Sequence, residues 1–193
     1  MAVRDRLVQA GLNLLGREGL DALTLRGIAR EAGVSHSAPR HTFPTRARLL
    51  AAVAREGYTE LTRAVVEALG DRSTASVERL IQAAAVYIEF ADQKPSMYEL
   101  MFRHDLMEGS GEALSDASRP LFTAMAESVS IVSTCSPAES QSRTVLIWTG
   151  LHGLVQLSRT GATSVVSPGH DVGELARRCV LAYVFDRSNP RDE

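Results

Sequence analysis

Nothing in these 193 residues is apolar for long enough to cross a bilayer, since no stretch approaches the roughly 20 apolar residues a transmembrane helix needs. Met1 to Gly11 carries Arg4, Asp5 and Arg6 where a secretory leader needs an apolar run, so a soluble cytoplasmic protein with no membrane partner is expected. Cysteine is scarce. Cys135 and Cys179 stand far apart without metal-type spacing, which suits reduced buried thiols better than a disulfide framework and points to no metal site. Alternation of apolar and polar residues is missing throughout, so no strand is expected. Also missing are an HExxH spacing, a GxSxG elbow and a Gly-rich phosphate loop. His104, Asp105, His152 and His170 are scattered, so the expectation is a chain without cofactor or catalytic residues. A small helical enzyme stays as a rival class, as does a helical adaptor or redox sensor working through Cys135 and Cys179.

What is present is helical periodicity. Val3, Leu7, Ala10, Leu14 and Leu15 form one face of a first helix that Gly16 to Gly19 ends. Thr24 is a plausible N-cap for a helix from Leu25 to Ala32, Gly33 and Val34 form a turn, and Ser35 to Phe43 is the next short helix. Pro39 falls at the end of that helix's first turn, where it forfeits at most one intrahelical bond. Pro44-Thr45 breaks the chain, and Thr45 caps a long helix from Arg46 to about Leu69. Gly70 to Ser76 reads as a boundary. Helices follow at Val77–Gln93, Met97–Met107, Leu114–Val132, Ala138–Arg159 and Val172–Phe185, with loops at Glu108–Gly111 and Thr160–Gly169 and a polar tail from Asp186.

Two short helices around a glycine turn are one way to seat a helix end in the DNA major groove, and they also occur as ordinary helical hairpins. Charge favours the first reading. Residues 1 to 57 hold nine arginines against five acids, a net of +4, while the remainder is −6, so phosphate attraction is confined to one end.

The run Leu25-Arg-Gly-Ile-Ala-Arg-Glu-Ala-Gly-Val-Ser35, closed by Phe43-Pro-Thr-Arg46 and Leu49-Leu50, resembles the TetR family of transcriptional regulators over about the first 55 residues. Tyr87-Ile-Glu-Phe-Ala91, Pro95 to Phe102, and Trp148-Thr-Gly-Leu-His-Gly153 resemble the C-terminal domain type named for its Trp-His-Gly signature. The resemblance implies an all-α chain, with a three-helix helix-turn-helix domain at 1–50 and a helical-bundle ligand-binding and dimerisation domain at 51–193. It also implies a homodimer that reads a palindromic operator and is released by a small apolar molecule, most simply as a repressor.

Within that frame, Ser35, His36, Ser37, Arg40 and His41 are the candidates to meet DNA from the recognition helix, where arginine can read guanine or hold a phosphate. Thr24 and Arg26, with Thr45 and Arg46, sit at helix N-termini suited to phosphate contacts. Arg40 and Thr42 stand where the family usually has Tyr and His, so Arg40 adds charge but no ring and Thr42 is shorter than the usual side chain. In the body, Met97, Tyr98, Met101, Phe102, Phe122 and Met125 suit an adaptable apolar pocket, though the more common explanation for such a cluster is a plain core. Trp148 and His152 lie four apart on one helix face and add polar handles for a ligand. Gly150 and Gly153 cost helix propensity there, which close approach of another helix would repay.

Overall fold

The computed structural model describes residues 2–35, 38–111, 114–166, 168–169 and 171–185, without the side chains of Ala38, Arg40 and Val166. The described chain is helical, and no strand occurs in it. The helices are α1 (Val3–Glu18), α2 (Leu25–Glu31), α3 (Ala38–Thr42), α4 (Arg46–Leu69), α5 (Val77–Gln93), α6 (Pro95–Phe102), α7 (His104–Met107), α8 (Leu114–Ser133), α9 (Pro137–Arg159), α10 (Ala162–Val166) and α11 (Val172–Val184).

Two spans differ from the sequence reading. The expected single helix from Met97 to Met107 is broken at Arg103, whose backbone leaves the helical region at φ −85° and ψ 63°. Its side chain is held there by Asp105 at 2.9 Å. The expected loop from Thr160 to Gly169 contains α10: Gly161, at φ +73°, turns the chain, and five residues follow without a breaker. By contrast, Pro120 is carried inside α8, at the loss of one backbone bond in its second turn. The tail from Asp186 and His170 lie outside the described residues.

The chain divides into two compact units, Met1–Glu60 with Ala91–Ser118, and Leu61–Phe90 with Arg119–Glu193. In the first, the apolar stripe of α1 (Leu7, Leu14, Leu15) is buried, as are Ile28 of α2, Phe43, and Leu49, Leu50 and Val53 of α4. Each such fully buried side chain contributes about 1.5–3 kcal/mol. Gly11 makes the α1–α4 approach possible: a Cβ there would fall 2.7 Å from Val53 Cγ2. The first unit takes in α6 because α6 packs on α1 and on the 3-10 turn Leu20–Ala22. Compactness therefore runs across the boundary read at residue 50.

In the second unit α9 packs along α11, and the pair closes at Gly150, where a Cβ would meet Cys179 Sγ at 2.5 Å. A Cβ at Gly153 would meet nothing within 4 Å among the described residues. Buried Arg143 ties the pair further, donating Nη1–H to the Val184 carbonyl at 3.0 Å while its Nε–H reaches Glu139 at 2.8 Å. Ser133 Oγ donates to the same carbonyl at 2.8 Å, so the last carbonyl of α11 is satisfied from both α8 and α9.

Candidate functional site

The first unit holds α2, its glycine turn and α3. Thr24 caps α2, its Oγ1 accepting the Gly27 N–H at 3.0 Å. At the other end Gly33 takes φ +62°, and the Gly33 and Val34 N–H groups close back on Arg30 and Ala29 carbonyls at 3.1 and 3.0 Å. This left-handed turn is why glycine is needed there. Arg6 locks the turn from α1 by donating from Nη2 to the carbonyls of Ala32 and Gly33 at 3.1 and 3.2 Å. Arg17 bridges Glu18 and Glu31 at 2.8 and 3.0 Å, and its hydrogen bond holds the Glu31 carboxyl below the usual carboxylate range. Beyond α3, Phe43 is buried with the Arg4 guanidinium 5.3 Å over its ring. Thr45 caps α4 by accepting the Arg48 N–H at 3.2 Å, and Arg46 Nε–H donates to the Leu23 carbonyl at 2.9 Å.

Among the sequence candidates for DNA, Thr24, Arg26, Ser35, His41, Thr45 and Arg46 are exposed on this unit. The capping hydroxyls keep an O–H to donate outward. Part of the Arg46 guanidinium is engaged with the protein, so it is positioned as well as charged. His36 and Ser37 lie outside the described residues, as does the Arg40 side chain. Arg6 was missed by sequence reasoning because its role depends on which carbonyls α1 faces, and nothing in its local pattern marks that.

The ligand candidates fall into two groups. Met97, Tyr98, Met101 and Phe102 belong to the first unit, where they pack on the first half of α4: a Cβ at Gly57 would meet Met97 Sδ at 2.5 Å and Met101 Sδ at 2.8 Å. Phe102 lies against both Tyr58 and Tyr98, with ring centroids 6.1 and 4.8 Å away. Tyr58 donates to the Met101 carbonyl at 2.6 Å, and burial pushes its hydroxyl up to about 12.

Phe122, Met125 and Trp148 belong to the second unit and line a small, half-open apolar cavity of about 30 Å³ between α4, α5, α8 and α9. Phe122 meets Trp148 edge-on at 5.6 Å, and Trp148 lies 5.7 Å from His152. His152 Nδ1 pairs with the Tyr87 hydroxyl at 3.1 Å, and burial lowers its imidazole's proton affinity. Thr144, missed by the sequence reading, also lines this cavity; its Oγ1 is buried with no hydrogen-bond partner among the described groups. No sequence signal marks it, because a threonine in a helix usually bonds its own backbone. Among the described residues no group of His, Cys, Asp or Glu could hold a metal ion, and no helix is long and apolar enough to cross a membrane.

Residues 7–53 match the bacterial regulatory proteins of the tetR family, and residues 80–183 match the tetracyclin repressor-like C-terminal domain. The nucleoid occlusion factor SlmA of Vibrio vulnificus is 28% identical over 120 residues, 62% of this chain and 60% of that one. The HTH-type transcriptional regulator BetI of Agrobacterium fabrum is 37% identical over 87 residues, 45% of this chain and 41% of that one. This chain therefore aligns with less than two thirds of either relative's length. A structure from Rhodococcus sp. RHA1, titled as a protein with unknown function, is 26% identical with a TM-score of 0.74, covering 95% of this chain and 94% of that one. With a capped and locked helix-turn-helix inside the first match and most of the residues from α5 to α11 inside the second, the chain belongs to the TetR family of bacterial regulatory proteins.

Proposed function

We propose that the chain is a cytoplasmic, ligand-responsive repressor that binds a palindromic operator as a homodimer, through a head at 1–50, and is released when a small apolar molecule enters the body at 51–193. The observation that carries the DNA half is the locked turn, in which Arg6 and Gly33 fix the exit of α2 before α3 begins. Ser35, His36, Ser37, Arg40 and His41 read or grip the major groove, and Thr24, Arg26, Thr45 and Arg46 hold phosphates. The body is of the type named for its Trp-His-Gly signature, with Trp148, His152 and Gly153 in that order. Its ligand half is supported by the apolar cavity against Phe122, Met125 and Trp148. Met97, Tyr98, Met101 and Phe102 are further candidate ligand contacts, within the first unit.

Dimerisation is supported by apolar side chains left outward on α9 and just past α11: Val145, Leu146, Leu157 and Phe185 are all exposed, and Gly153 beside them stands open. The redox alternative is disfavoured by Cys179, whose burial raises the thiol above its ordinary value and so depletes the reactive thiolate.

The test is a mobility shift against the chain's own upstream region and a random operator pool, repeated across salt. Binding that weakens steeply with salt is expected, since phosphate contacts release counterions. Arg46→Ala should weaken all sequences about equally, whereas His36→Ala and Arg40→Ala should change which are preferred. Absence of binding to any sequence at low salt would overturn the reading. Sedimentation of Leu157→Glu tests the dimer, which this variant should dissociate.

A further inference from the structure

Phe122 borders two spaces at once. On one side is the 30 Å³ cavity, which Trp148, Ile147, Leu151 and Met125 make almost wholly apolar. On the other is an open groove of about 470 Å³ with Arg72, Thr123, Glu127 and Gln141 along it. This small cavity has room for little more than a water, while a benzene-sized guest needs on the order of 150 Å³. Phe122 is thus the side chain shared by the two spaces, with its ring 5.6 Å from Trp148 and nearly perpendicular to it, and moving that ring would join them.

The chemistry of the cavity limits what can follow. Among the described residues no charged side chain lines it, so a charged group would enter without a counterion and is disfavoured. The Tyr87 hydroxyl is engaged with His152. Thr144, only 3% exposed, is one of the lining residues and its Oγ1 is buried with no partner among the described groups; a hydroxyl in that state favours a guest that brings a hydrogen-bonding atom.

We propose that Phe122 is the door of the effector site and Thr144 its selector, admitting an uncharged aromatic molecule that carries one hydrogen-bonding oxygen. The ring of this guest takes the place of the Phe122 ring against Trp148, and its oxygen bonds Thr144 Oγ1. The inference rests on the reading of the body as a sensor and names the class of molecule sensed.

Trp148 is the single tryptophan of the chain, so its emission reports on this site alone. The full-length protein is titrated with 4-ethylphenol and with ethylbenzene, which differ by one hydroxyl. The wild type should bind 4-ethylphenol about tenfold more tightly, the scale of one hydrogen bond. Thr144→Val should bring the two affinities together, and Phe122→Ala should speed association about tenfold while keeping the preference. Equal affinities in the wild type, a preference that survives Thr144→Val, or association unchanged by Phe122→Ala would each overturn the proposal. If Phe122→Ala does not fold by circular dichroism, Phe122→Leu serves in its place. Operator binding is measured in parallel. If 4-ethylphenol binds with this selectivity but does not release DNA, the site stands and the sensor reading falls. If other compounds release DNA while neither probe moves Trp148 emission, the reverse holds.

Discussion

Replacing Thr144 by valine should stabilise the protein, although most substitutions at fully buried positions destabilise by about 0.5–3 kcal/mol. The two side chains have the same shape, and their helix propensities are close. What changes is Oγ1, which lies buried on α9 without a hydrogen-bond partner among the described groups, on a residue lining a cavity whose walls include Ile147, Leu151 and Met125. A buried hydroxyl left unsatisfied costs about 1–3 kcal/mol, and the methyl that replaces it is at home among those neighbours. A gain of about 1–2 kcal/mol follows. For a chain of this length each kcal/mol moves Tm by about 2–4 °C, so a rise near ~4 °C is expected. Differential scanning calorimetry of both proteins, at one protein concentration so that association does not shift Tm by mass action, measures it. Thr144→Ser is the control: it keeps the hydroxyl and removes a methyl, and should lose about 1 kcal/mol. If valine leaves Tm unchanged or lowers it, Oγ1 is satisfied in solution, and the reasoning about the cavity's polar selector fails with it.

Tyr58→Phe leaves the Met101 carbonyl without its 2.6 Å donor near the end of α6, and should lower the urea-unfolding free energy by about 1–2 kcal/mol; an unchanged midpoint would mean the carbonyl finds another donor. Gly11→Ala places a methyl 2.7 Å from Val53 Cγ2 and should cost about 1–3 kcal/mol, of which Val53→Ala in the same chain recovers part; additive losses in the double-mutant cycle would refute the clash. Burial depresses the His152 imidazole, so the folded protein holds it neutral where the unfolded chain is already protonated. Its contribution is full above the unfolded value near 6.5 and is lost as pH falls from there through the lower folded value. Melting curves from pH 8 to 5 should therefore diverge less for His152→Gln than for the wild type, and identical pH profiles would count against the assignment.

The head was legible because its signals are local. A glycine at 33, threonines at 24 and 45 and the spacing of Leu25, Ile28 and Ala29 each act within a few residues, and the observed caps and positive φ fall where those residues stand. Breaks were less legible when they depended on tertiary partners. The stretch Met97–Met107 is periodic on both sides of Arg103, and the interruption is held by Asp105 and Glu99 rather than by a glycine or proline. α10 was missed because five residues are too few to display a period. The body's candidates share a composition, but composition does not say which helix face meets which: methionine and aromatic content grouped Met97 and Met101 with Phe122 and Met125, whereas the fold places the two pairs in different units. Gly150 and Gly153 looked alike in sequence. Only Gly150 meets a neighbouring helix within the chain, at Cys179.

The tie from Arg6 to the carbonyls of Ala32 and Gly33 changes how an arginine scan of the head would have to be scored. Arg6→Ala should weaken operator binding much as loss of a DNA contact would, yet its guanidinium faces peptide oxygens. A screen that ranks positions by lost affinity alone would thus record a false contact. The distinguishing mark is the response to ionic strength: loss of a phosphate contact flattens it, and a loosened turn leaves its gradient intact. Arginine count in such a head is therefore an upper bound on its grip, with some of the positive charge serving as internal scaffolding.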